Sequence, residues 1–172
     1  MNENVKKLKD KLWEAANHLR ANSSLRLNEF AEPVLGLIFL KFADVKHENI
    51  TREITTERAE RKKEKTTLRE RPISPEDYRA RGALFVPEKA RFSYLVSLAE
   101  GSDMGKAVND AMKEIEKCNK DLSGILPQNY NKLDNETIIA LLKNFNQIPD
   151  DIEGDAFGSI YEYFLVKFAL SD

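Results

Sequence analysis

The chain of 172 residues has a single cysteine, Cys118, and only two histidines, His18 and His47. One thiol excludes an internal disulfide framework and any multi-cysteine zinc site. Two histidines leave little from which to build a histidine metal centre. Glycine and proline are scarce, at 7 and 6 residues, which points to long helices and few tight turns. The longest apolar run is Val34 to Leu40, seven residues with Gly36 counted, whereas a membrane span needs about 20. The opening stretch, Met1 to Asp10, lacks the apolar centre of a secretory signal. The expected location is therefore the cytoplasm, with no membrane partner, and a lone thiol suits that reducing compartment.

Catalytic signatures are missing too. The chain has no Gly-Lys-Ser/Thr, no Gly-x-Gly-x-x-Gly and no Gly-x-Ser-x-Gly, so it shows no phosphate loop, dinucleotide turn or nucleophile elbow. Two carboxylate pairs, Glu76 with Asp77 and Asp150 with Asp151, sit beside prolines, where helix capping accounts for them better than acid/base work. Cys118 reads as a small helix residue near the core. A reactive thiol calls for a basic neighbour and a partner histidine, and only the lysines 117 and 120 are close in sequence. No residue is a catalytic, cofactor-binding or metal-ligating candidate, and a self-contained enzyme is set aside.

What remains is a charge-rich globular chain, 41% hydrophobic and 33% charged. Its apolar residues recur at steps of three and four, the period of a buried helix face. Val5, Leu8, Leu12, Ala15, Ala16 and Leu19 form a first stripe, flanked by Trp13, whose indole reads as core packing; Asn22 to Ser24 ends this helix. A second helix runs from about Asn28 to Val45 and is apolar on most sides, so it is the expected central helix. Lys46 to Arg71 is charge-dense, a charged helix or a mobile insertion, and Pro72 and Pro75 close it. Gly82 to Pro87 is the only strand-like run and Glu88 to Glu100 resumes helical character. Ser102 or Asp103 caps a stripe from Met104 to Leu122 that Gly124 terminates. Asp134 caps the next helix and Asp155 the last, which carries Phe157, Ile160, Tyr161, Phe164, Leu165 and Phe168. Gly154 and Gly158 suggest a close backbone approach. The fold class expected is mainly α, a helical bundle-like domain with at most one short strand-like segment near residues 83–87. An apolar last helix at the chain end suggests that the natural protein continues.

The net charge of −2, from 27 Lys+Arg and 29 Asp+Glu, conceals a gradient. Residues 1–91 hold 20 basic and 15 acidic side chains, a net of +5; residues 92–172 hold 7 and 14, a net of −7. Within the basic half, Arg58, Arg61, Lys62, Lys63, Lys65, Arg69, Arg71, Arg79, Arg81, Lys89 and Arg91 are the candidates for DNA contact. Such a stretch can neutralise phosphates, and arginine suits bidentate phosphate binding. On sequence alone a solvated charged face is the favoured explanation, and the interleaved Glu60, Glu64 and Glu70 weaken the DNA reading.

Five blocks in order resemble the N-terminal helical domain of the DNA methyltransferase (M) subunit of type I restriction-modification systems. They are Leu12 to Arg20, Val34 to Phe42, Gly82 to Phe92, Ile115 to Pro127 and Gly154 to Leu165. The resemblance covers that domain over residues 1–172, with residues 46–81 as the charged segment. It places the catalytic domain beyond residue 172, with its S-adenosylmethionine site and Asn-Pro-Pro-Tyr/Phe motif. This chain has no Asn-Pro-Pro. The resemblance thus implies adenine-N6 methylation with S-adenosylmethionine for a full-length protein and no cofactor in this piece. The partners it implies are double-stranded DNA, a specificity subunit, a second M subunit and a restriction subunit. The module would supply DNA backbone contacts and subunit interfaces; the alternative is a purely protein-interaction module without DNA contact.

Overall fold

A computed structural model describes residues 3–23, 25–64, 71–98, 101–152 and 154–171. Its organising element is α2, a helix of 38 residues from Leu27 to Glu64, about 57 Å long at 1.5 Å per residue. In its first half Phe30, Val34, Leu37, Ile38 and Leu40 are fully buried, and they point to several sides. The helix does not stop near Val45 as its apolar pattern suggested. Beyond that point its buried residues narrow to His47, Ile50 and Ile54, spaced three and four apart along one face. Glu, Arg and Lys are strong helix formers, and no Pro or Gly interrupts them before Pro72. The charged stretch as far as Glu64 is thus the exposed continuation of the central helix.

Around α2 pack α1 (Glu3–Ala21), α3 (Pro75–Arg79), α4 (Phe92–Ser97), α5 (Met104–Cys118), α6 (Asn135–Phe145) and α7 (Gly154–Ser171). Among the described residues there is no β-strand, in keeping with a mainly α domain. Helix α7 lies along α2, α1 lies on α6, and α5 packs on the 3₁₀ turns at Glu88–Ala90 and Tyr130–Lys132. Trp13 belongs to this core, edge-on to Phe164 and Phe168 with ring centroids 5.5 and 5.1 Å away. No helix among the described residues is long and apolar enough to cross a membrane.

Caps and close approaches fix the register. Asp103 accepts from the Lys106 amide at 3.1 Å and Asp134 from the Thr137 amide at 2.7 Å, each satisfying one of the unpaired donors at a helix start. Asp155 is not a cap. It lies within the first turn of α7, where the helix dipole favours a negative charge. The close backbone approaches occur at other glycines than expected. A Cβ on Gly154 or Gly158 would meet open space, whereas one on Gly36 would strike the Tyr130 hydroxyl and lie 2.6 Å from Cγ of Pro127. The Tyr130 ring is wholly buried, and its hydroxyl donates to the Pro33 carbonyl at 2.7 Å.

Helix α5 ends at Cys118 rather than near Gly124. Asn119 leaves the helical conformation, with φ −134° and ψ 80°, and its side chain turns to the extended segment 83–86. Its amide donates to the Phe85 and Ile115 carbonyls at 2.9 and 2.8 Å, and its Oδ1 accepts from the Phe85 amide at 3.2 Å. The strand-like run is accordingly an extended strap on the helices, held by a side chain and not by a sheet.

Candidate functional site

The distal half of α2 is covered on one face by residues 71–86. There His47 stacks on Tyr78 with ring centroids 4.1 Å apart, and Phe85 meets both rings edge-on. The Val86 amide donates to His47 Nδ1 at 3.1 Å, and the Tyr78 and Thr51 hydroxyls are 2.7 Å apart. Burial pushes the His47 imidazole below its ordinary pKa, and the Arg91 charge adds to that. Ile50, Ile54, Tyr78 and Ala83 form the small apolar cluster beneath.

The arginines expected to face DNA largely secure this cover. Arg91 reaches Asp44 and Glu48 at 2.6 Å each. Arg81 reaches Glu53 at 2.7 Å and Glu57 at 2.6 Å. Both thus bridge two carboxylates one turn apart on α2, the i,i+4 spacing that puts them on one face. The arginine hydrogen bonds hold the Glu48 and Glu57 carboxyls below their usual range. Asp44 also accepts from the Phe92 amide at 3.0 Å, so one carboxylate anchors the strap and starts α4. Arg71 grips Asp77 with a two-point hydrogen bond at 2.8 and 2.7 Å, which holds that carboxyl far below its usual range. Asp77 in turn accepts from the Ser74 amide at 2.8 Å, while Arg58 donates to the Arg71 carbonyl at 2.5 Å and lies 3.9 Å from Asp77. Arg79 pairs with Glu76 and donates to the Cys118 carbonyl at 3.2 Å.

Of the eleven sequence candidates, Arg58, Arg71, Arg79, Arg81 and Arg91 are therefore engaged within the domain. Arg61, Lys62 and Lys63 stand exposed in the last turn of α2, and Lys89 is exposed in the turn Glu88–Ala90. None of these four forms an ion pair among the described residues. Lys65 and Arg69 lie outside the described residues. Of the interleaved glutamates, Glu60 and Glu64 are exposed beside Arg61, Lys62 and Lys63, and Glu70 lies outside the described residues, while Glu53 and Glu57 pair with Arg81.

The fold also gathers cations that sequence reading did not group. Lys117 and Lys120 join Arg79 around a hollow of about 450 Å³ that Cys118 borders. Nothing local could reveal this, since Arg79 is brought to the end of α5 only by the strap. Among the described residues no group of three or more His, Cys, Asp or Glu is placed to hold a metal ion.

A family model described as HsdM N-terminal domain matches residues 8–145. The type I restriction enzyme MjaIX methylase subunit of Methanocaldococcus jannaschii is 31% identical over 170 residues, an alignment covering 92% of this chain and 30% of that protein. The chain thus spans less than a third of that relative's length. The family match takes in α2, the strap with its Asn119 tie, and the helices as far as α6, and the chain belongs to the HsdM N-terminal domain family of type I restriction methylase subunits.

Proposed function

We propose that this domain serves a type I methylase subunit in the cytoplasm by contacting the DNA backbone with the exposed end of α2 and by docking on the other subunits. The observation that carries this reading is the contrast between paired and unpaired cations. Arg58, Arg81 and Arg91 fasten α2 to the segments packed on it, and Arg71 braces the cover itself through Asp77, so the helix end is supported. The cations beyond them, Arg61, Lys62 and Lys63, project into solvent without ion pairs among the described residues. Unneutralised cations on a supported helix end are suited to phosphate, because each contact releases condensed counterions. Lys89 and the Arg79–Lys117–Lys120 hollow are secondary candidates.

The partners proposed are double-stranded DNA, a specificity subunit, a second M subunit and a restriction subunit. Adenine-N6 methylation and S-adenosylmethionine are proposed for the longer polypeptide. The hollow of about 560 Å³ between α2 and α7 does not fit that cofactor, being lined mostly by apolar side chains with Asn28 and Glu32 as its polar groups.

The test is DNA binding across a salt series, comparing the parent with the triple variant Arg61→Glu, Lys62→Glu, Lys63→Glu. The expected result is weaker binding of all sequences alike, with the slope of log affinity against log salt reduced by about one per lost contact. The second reading, a purely protein-interaction module, is favoured by the number of arginines already spent on internal carboxylates. Unchanged DNA affinity together with lost subunit assembly would establish it instead.

A further inference from the structure

Helices α2 and α7 leave an apolar channel open between them. At one end is a hollow of about 560 Å³ floored by Leu35, Phe39, Leu126, Pro127, Tyr161 and Phe168. At the other is one of about 270 Å³ bordered by Phe42, Phe157, Gly154 and Gly158. Phe39 and Tyr161 line both, so the two hollows adjoin along the α2–α7 seam. Along α7, Gly158, Tyr161, Leu165 and Ala169 recur at steps of three and four and so share a face. Leu165 is 43% exposed, and Ile125, on the rim of the larger hollow, is 67% exposed. From Gly154 to Ala169 the face extends about 22 Å, the length of about four helical turns. The missing side chains at Gly154 and Gly158 matter here, because a Cβ at either would meet nothing within 4 Å. These glycines relieve no contact inside the domain and border the smaller hollow.

The charges around the channel are of one sign. Glu32 lines the larger hollow and Glu162 the smaller, and no Lys or Arg lines either. Both carboxylates are exposed. A twofold pairing of two copies would set this surface against itself and bring acid onto acid. The basic part of this chain fails as an occupant as well: the apolar stripe of distal α2, Ile50 and Ile54, is already buried under Tyr78 and Ala83.

We infer that the α2–α7 channel is a docking groove for an amphipathic helix of a different polypeptide, one whose apolar stripe is flanked by lysine or arginine. The stripe fills the hollows as a helix does in a groove, and the flanking cations meet Glu32 and Glu162. This inference is independent of DNA contact, which concerns the opposite, basic end of α2.

The test uses the 172-residue chain and two fluorescent helical peptides of about 18 residues, long enough to span the face. They share one leucine stripe and carry either lysine or glutamate elsewhere. The lysine peptide should bind about tenfold more tightly than the glutamate peptide. Gly158→Leu should abolish that binding while leaving the helical circular dichroism intact, because the added side chain points into the channel. Glu32→Lys with Glu162→Lys should reverse the preference. Equal binding of both peptides, or binding untouched by Gly158→Leu, would overturn the inference. So would self-association of the chain that Gly158→Leu dissolves in sedimentation, since that assigns the groove to a second copy.

Discussion

The side chain of Asn119 pairs with the backbone of Phe85 in both directions, donating at 2.9 Å and accepting at 3.2 Å. A primary amide presents the same donor and acceptor as a peptide group, so one buried residue replaces the neighbouring strand that the segment lacks. Asn119→Ala leaves both Phe85 backbone groups unpaired at a half-buried position. The expected cost is about 1–3 kcal/mol, or several degrees in Tm by thermal circular dichroism for a domain of this size. An unchanged Tm would show that the strap is held by other contacts.

Arg91 and Arg81 make similar pairs in different surroundings, and their truncations should differ accordingly. Asp44 has a side chain only 9% exposed, whereas Glu53 and Glu57 are 53% and 49% exposed. Arg91→Ala strands a buried carboxylate and should cost about 2–4 kcal/mol. Arg81→Ala should leave Tm nearly unchanged, since exposed pairs are screened by water and salt. Chemical denaturation of both variants side by side checks the order.

Two glycines in helices should respond oppositely to the same methyl group. Gly36→Ala drives a methyl into Pro127 and the Tyr130 hydroxyl, and overpacking of this kind costs about 1–3 kcal/mol. Gly158→Ala meets open space and should stabilise the domain by about 0.5–1 kcal/mol through the higher helix propensity of alanine. Equal effects in thermal unfolding would contradict the packing described.

Stability should fall with acidity in two stages. His47 has a folded pKa below its ordinary 6.5 because burial and Arg91 oppose its charge, with Asp44 and Glu48 acting weakly the other way. Above pH 6.5 both folded and unfolded forms are neutral there and the contribution is full. As the pH falls below that, only the unfolded chain takes up the proton, and stability is lost. A second decline follows at lower pH, where Glu48, Glu57, Asp77, Asp110 and Asp134, all held below their usual range, protonate more readily in the unfolded chain. Denaturation midpoints from pH 7.5 to 5.5 should decline in the parent and flatten in His47→Gln.

Most helices were legible because their stripes repeat at the helical period. The last helix, the Met104 stripe and the Asp134 cap all declare themselves in this way. Two boundaries misled for a common reason. Leu122 continued the apolar spacing of α5, yet the Asn119 tie to Phe85 outweighs the next helical turn. The apolar pattern of α2 faded near Val45, yet the helix persists because residues 71–86 cover its remaining face. At the basic stretch the sequence displayed eleven cations on equal terms. Arg81 and Arg91 find their carboxylates 24 to 47 residues away, which sets them apart from the cations left to solvent.

Periodicity and caps are local properties, so the chain by itself determined a mainly α domain, and its five ordered blocks carry the resemblance to the type I methylase subunit that the family match bears out. Which glycine stands under a ring, which arginine finds a carboxylate and which apolar face stays open depend on residues far apart in sequence. Those facts exist only once the helices are packed. The tertiary structure alone therefore decided that Gly36 is crowded, that Gly158 faces open space, and that Arg81 and Arg91 are paired while Arg61, Lys62 and Lys63 form no ion pair among the described residues.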